Sequence, residues 1–124
     1  MYNVIAVFIG GGLGCLARYG VSLALVTRIK TSFPIATFCS NIISCIILAV
    51  TVFIFADKTN VNPLLKFFII TGFCGGFSTF STFSFETVEL FRTGNILFAI
   101  LNLVISLTAG LAIIFFISKM AQFK

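Results

Sequence analysis

Four long apolar runs, roughly Val4–Val26, Pro34–Ala56, Pro63–Phe91 and Ile96–Ser118, alternate with short polar stretches along the 124-residue chain. Each run approaches or exceeds the ~20 residues that a helix rising about 1.5 Å per residue needs to cross hydrocarbon. The pattern predicts an all-α membrane protein with a single domain, residues 1–124, built from four transmembrane helices. The first run has no basic stretch before it, carries Arg18 inside it and is followed by further spans, so it reads as a span and not as a cleaved leader. Pro34 opens the second run where a missing N–H costs nothing. The segment Asp57–Pro63 (DKTNVNP) is the clearest polar turn.

The third run breaks the apolar pattern. Gly72–Glu86 reads GFCGGFSTFSTFSFE, a mixture of glycine, hydroxyl and phenylalanine side chains in the middle of a span. Non-helical backbone at membrane depth is tolerated only where it is buried in protein or lines a wet cavity. Glycine costs about 1 kcal/mol relative to alanine inside a helix. A break at Gly75–Gly76 is therefore expected, freeing carbonyls and amides that can hold an ion. After it, Phe77, Phe80 and Phe83 recur every third residue, interleaved with Ser78, Ser81, Thr82 and Ser84. Phenyl ring edges carry partial positive charge. Together with hydroxyl donors they can replace part of the water around a small anion.

The other spans contribute isolated polar positions. Span one carries GGGLGCLARYG from Gly10 to Gly20, whose glycines permit close helix approach. Its Arg18 costs about 2.5–3.5 kcal/mol at a helix centre. It either snorkels to the interface or forms an electropositive entrance, and its depth in the run favours the entrance. In span two, Thr37, Asn41 and Ser44 fall at i, i+4 and i+7 on one face. A lone Asn commonly forms only an interhelical hydrogen bond, but the aligned hydroxyls make a polar track the better reading. In span four, Asn102 and Ser106 share a face with Gly110, and both a pore lining and helix–helix glue fit them. Glu86 and Glu89 read as interfacial residues at a span end, with Glu89 and Arg92 spaced for an i, i+3 pair.

Composition sharpens the class. The chain is 60% hydrophobic and 9% charged, with a mean hydropathy of +1.21. The net charge of +5 is scattered over loop ends, so it reads as juxtamembrane anchoring and not as a nucleic-acid footprint. Cys15, Cys39, Cys45 and Cys74 all fall in spans without CxxC spacing and read as small packing residues. With no histidine and no nucleophile–base constellation, enzymatic activity is not expected. Four even spans put Lys58, Lys66, Lys119 and Lys124 on one side and Arg28, Lys30 and Arg92 on the other. So small a bias barely selects an orientation and permits an antiparallel dimer of identical chains.

The pieces GGGLGCLARY in span one, Pro34 with Thr37 and Asn41 in span two, and GFCGGFSTFSTFSFE in span three resemble the Fluc-type (CrcB) fluoride channel family. The resemblance covers the four-span layout. It implies a fluoride-selective channel that exports fluoride passively through the cell inner (plasma) membrane and confers fluoride resistance. It implies an antiparallel dual-topology homodimer, or a heterodimer of paralogues, with two pores and a central structural sodium ion (Na+). Asn41, Phe80 and Phe83 match pore residues of that family, and Ser81 and Thr82 its hydroxyl track. Thr37 and Ser106 extend the same anion path, and Arg18 matches a residue of the aqueous vestibule. Gly75 and Ser78 match positions whose backbone carbonyls hold the sodium. Position 78 is Ser where Thr is frequent, and span four carries Asn102 where a Tyr is common. A proton-coupled small multidrug exporter shares the size and topology, but span one lacks the carboxylate it needs. A non-conducting subunit of a larger membrane complex is the third reading, and leaves the polar break without a role.

Overall fold

A computed structural model describes residues 1–56 and 61–122 of the chain. Asp57 to Asn60 of the expected polar turn lie outside the described residues, as does Lys124. Helix α1 spans Tyr2–Val26 and α2 spans Ile35–Ala56. The third segment is composite: α3 at Pro63–Lys66, a π-helical stretch at Phe67–Cys74, α4 at Gly75–Phe77 and α5 at Phe80–Arg92. Helix α6 covers Ile96–Gln122. Four stretches are long and apolar enough to cross a membrane: Tyr2–Val26, Ile35–Phe55, Pro63–Arg92 and Ile96–Met120. They match the four apolar runs closely and make this a multi-pass membrane protein.

Local chemistry sets the ends. Asn62 caps the third segment by accepting a hydrogen bond from the Leu64 amide at 2.9 Å, and Pro63 occupies the first helical position, where it has no donor to lose. At the end of α5, Gly94 adopts φ +79°, a left-handed conformation suited to glycine. It lets the Asn95 amide turn back onto the Leu90 carbonyl at 2.9 Å.

Helix α1 packs along the π-helical stretch and α4, while α2 and α5 both pack on α6. The α1 contact is backbone against backbone. A Cβ added at Gly10 would overlap the Phe68 carbonyl and stand 3.2 Å from the Gly72 Cα. One added at Gly14 would overlap the Phe73 carbonyl, and one at Gly76 the Gly11 carbonyl. Dispersion between closely apposed helices is the main attraction available where lipid is as apolar as leucine.

Gly75 and Gly76 are helical, with Gly75 at φ −64°, ψ −36°. The expected break at this pair is not where the backbone leaves the helix. Gly76 serves close approach to α1, and the extended residues are Ser78 (φ −79°, ψ 159°) and Thr79 (φ −153°, ψ 114°). Side-chain hydroxyls that bond locally to backbone favour such caps over helix interior.

The interior is unusually polar. Among the described residues, Thr37, Ser40, Ser44, Thr51, Thr79, Thr87 and Asn102 are buried, whereas most large apolar side chains, such as Phe8, Leu16, Leu111 and Phe116, face outward. Gly14→Ala is expected to lower the thermal unfolding temperature of the purified protein, reflecting an overpacking cost of about 1–3 kcal/mol or more. Gly12→Ala should leave it near wild type, because a Cβ there meets nothing within 4 Å.

Candidate functional site

Helix α2 and the third segment are joined by three polar rungs. Thr37 donates to Glu86 Oε1 at 2.9 Å, Asn41 pairs with Thr79, and Ser44 donates to the Cys74 carbonyl at 3.1 Å. The partners run 86, 79, 74 as the α2 residues run 37, 41, 44, as antiparallel neighbours require. The i, i+4, i+7 face read from the sequence is thus a seam against the third segment.

The middle rung closes on the extended residues. Asn41 Oδ1 accepts from the Thr79 amide at 2.8 Å, and Asn41 Nδ2 donates to the Thr79 carbonyl at 3.4 Å. One primary amide satisfies both backbone groups of one residue. Thr79 in turn caps α5, its Oγ1 accepting from the Thr82 amide at 3.3 Å. The Cys74 carbonyl accepts from the Ser78 amide (3.0 Å), the Ser78 hydroxyl (2.8 Å) and Ser44. Because the Thr79 N–H is directed to Asn41, it does not close on the Gly75 carbonyl four residues earlier.

Beside this seam lies a cavity of about 290 Å³. Asn41, Ser78, Thr79, Phe80, Phe83 and Ser106 are in its lining, with Cys45 of α2, Gly110 and apolar residues of α6 completing it. Phe83 is buried and Phe80 is 77% exposed, with ring centroids 6.1 Å apart and planes inclined by 38°. Four residues assigned to the anion path from the sequence, Asn41, Phe80, Phe83 and Ser106, therefore share one cavity. The others stand elsewhere. Ser81 and Thr82 cluster with the Thr79 hydroxyl, at 3.4 and 3.0 Å. Thr37 faces Glu86. Arg18 is half-buried on α1, its guanidinium 3.9 Å from Cys15 Sγ, and is not in the cavity lining. Gly75 is exposed and Ser78 half-buried.

A second cavity of about 470 Å³ opens where the α1–α2 loop meets α5, lined by Phe33, Pro34, Ala36, Phe85, Glu86 and Glu89, among others. Glu86, expected at a span end, is in the lining of this cavity. It turns inward, one oxygen bound to Thr37 and the other, Oε2, buried without a hydrogen-bond partner among the described residues. Glu89, by contrast, forms the expected exposed pair with Arg92 at 2.7 Å. Thr79 and Thr87 are further buried hydroxyls that the apolar pattern does not single out. A helical-face count from Phe83 would have found Thr79, Thr87 and Leu90 at i−4, i+4 and i+7, all buried.

Residues 5–117 match the family described as CrcB-like protein, Camphor Resistance (CrcB). The chain is 42% identical over 112 residues to a fluoride-specific ion channel FluC of Flavobacterium psychrophilum, covering 90% of each chain. It is 40% identical to a fluoride-specific ion channel FluC 1 of Yersinia pseudotuberculosis, covering 90% of this chain and 88% of that one. It is 43% identical to a FluC of Ruminiclostridium cellulolyticum, covering 86% and 82%.

The rungs differ in what their loss exposes. Asn41→Leu leaves the Thr79 amide and carbonyl without their partner, at about 1–3 kcal/mol for each unsatisfied group, and should lower the unfolding temperature clearly. Ser44→Ala leaves the Cys74 carbonyl two donors from Ser78, so its loss should be about 0.6 kcal/mol, the usual membrane hydrogen bond. Thermal unfolding of both variants in one detergent reads the difference.

Proposed function

The chain belongs to the CrcB-like family, and from that premise we propose that it is a fluoride-selective ion channel of the cell inner membrane. It passes fluoride passively out of the cell and performs no covalent chemistry. The observation that carries the reading is the cavity itself. A primary amide, two phenyl rings and a helix start meet at one opening in an otherwise apolar surface.

Each part suits a small, strongly hydrated anion. Asn41 Nδ2 has two protons, of which one goes to the Thr79 carbonyl, leaving the second for the cavity. Phe80 and Phe83 are close enough for ring edges to present their positive rim to a passing anion. Helix α5 begins at Phe80, so its positive dipole end and first amides open beside the same space. Ser81 and Thr82, in that first turn, continue the donor track. Thr37 extends the path toward the second cavity, and Arg18 draws anions to a vestibule.

One protomer leaves Phe80 77% exposed, so a second copy is needed to close the path. The near-balanced charges favour an antiparallel homodimer in the lipid bilayer, with two pores. The Gly75 carbonyl, relieved of the Thr79 amide, and the carbonyl of extended Ser78 suit a hard cation. Oxygen ligands of this kind from two facing copies would hold a structural sodium ion. No nucleic acid is involved.

Liposomes holding only the purified protein should release fluoride rapidly and retain chloride. Asn41→Asp keeps an oxygen for the Thr79 amide but loses the spare donor and adds a negative charge. Fluoride efflux from this variant should fall to the protein-free leak. Efflux that persists undiminished in Asn41→Asp, or chloride release equal to fluoride release by the wild type, would overturn the reading.

A further inference from the structure

Ser106 reaches the cavity from α6, yet its proton points away from it. The direction follows from a chain of hydrogen bonds that starts at a group with no choice. The Phe83 carbonyl can only accept, and the Thr87 hydroxyl donates to it at 2.7 Å. With its one proton committed, Thr87 Oγ1 can only accept from Asn102, which lies 2.9 Å away. The nitrogen end of that amide must therefore face Thr87. Asn102 Oδ1 is then turned to Ser106, whose hydroxyl donates to it at 3.2 Å. Asn102 is 1% exposed, so water does not compete for either end of the amide.

We propose that Asn102 is a positioning residue that holds the Ser106 hydroxyl with its lone pairs, not its proton, toward the cavity. The inference rests on the fluoride path proposed above and refines it: Ser106 borders the path without donating to the anion. That edge of the cavity takes a hydrogen-bond donor such as water and disfavours an anion. Fluoride is thereby kept to the side of Asn41 and the two phenyl rings. The relay also fixes α6 to α5, since Thr87 and Phe83 belong to one and Asn102 and Ser106 to the other.

Three variants in the liposome efflux assay test it, beside one measurement that needs no conduction. Ser106→Ala supplies the background against which the loss of Asn102 is read, since it removes the proton that the relay holds. Asn102→Leu, close in volume and without the amide, frees the Ser106 proton to swing into the cavity and hold the anion. Its efflux should fall about tenfold, as expected of one added hydrogen bond to a charged group. Relative to Ser106→Ala, the double variant Asn102→Leu/Ser106→Ala should show no such loss, because the freed proton is gone. An Asn102→Leu loss as large in the Ser106→Ala background as in the wild type would overturn the proposal. Proton-detected solid-state NMR of the protein in bilayers should correlate the Ser106 hydroxyl proton with the Asn102 side-chain carbonyl carbon. Absence of that correlation would sink the relay. Its presence in a protein that releases no fluoride would sink the channel reading and leave the relay standing.

Discussion

A chain that leaves its helix inside hydrocarbon must find partners for every backbone group it exposes, since unsatisfied groups there cost several kcal/mol each. The pairing of Asn41 with Thr79 meets that constraint, and the third segment is organised around it. Asparagine is the side chain for the task, because it carries an acceptor and a donor at the spacing of a peptide group. With Thr79 held extended, its hydroxyl becomes the cap of α5 and Ser78 turns back onto Cys74. Removing the amide at position 41 would therefore release the turn and the start of the next helix together.

The turn also lets one segment serve two neighbours. Up to Phe77 the third segment lies on α1, where glycines on both sides bring the backbones together; beyond Phe80 it packs on α6. The turn falls where the segment passes from one neighbour to the other. The π-helical stretch before it, Phe67–Cys74, belongs with such sites, since π-turns inside helices tend to mark functional positions. The polar interior follows from the same solvent. Where lipid already accepts leucine and phenylalanine, burying them gains little, and hydroxyls and amides join close glycine packing in binding helix to helix.

Much of this was legible in the chain. The four spans follow from apolar run lengths, and the α2 seam from the period of Thr37, Asn41 and Ser44, because helical spacing is set by backbone geometry alone. The position of the turn was not legible in the same way. Two adjacent glycines are a general helix-weakening signal, but Gly76 is occupied by the Gly11 backbone, and only the packed structure reveals that use. The inward turn of Glu86 is hidden for a related reason. An acid near a span end is usually interfacial, and nothing local shows that Thr37, 49 residues earlier, turns one oxygen inward. Asn102 stood undecided between pore lining and glue. Its burial and its bond to Thr87 assign it to the contact between α5 and α6.

Hydrogen-bond direction carries the last step from packing to recognition. A membrane protein rich in hydroxyls is not thereby rich in donors, because each hydroxyl has one proton. Here Thr37 commits its proton to Glu86, Ser44 and Ser78 theirs to Cys74, Ser84 to Phe80, and Thr87 to Phe83. On the path proposed above, what remains for an anion is the second Nδ2 proton of Asn41, the start of α5 with Ser81 and Thr82, and the rims of two phenyl rings. In the channel proposed above, so short a set of donors would hold an ion weakly. Conduction requires weak holding, since an ion bound by a full set of strong donors would enter and stay. The same seam that closes the backbone thus also withholds donors from the cavity.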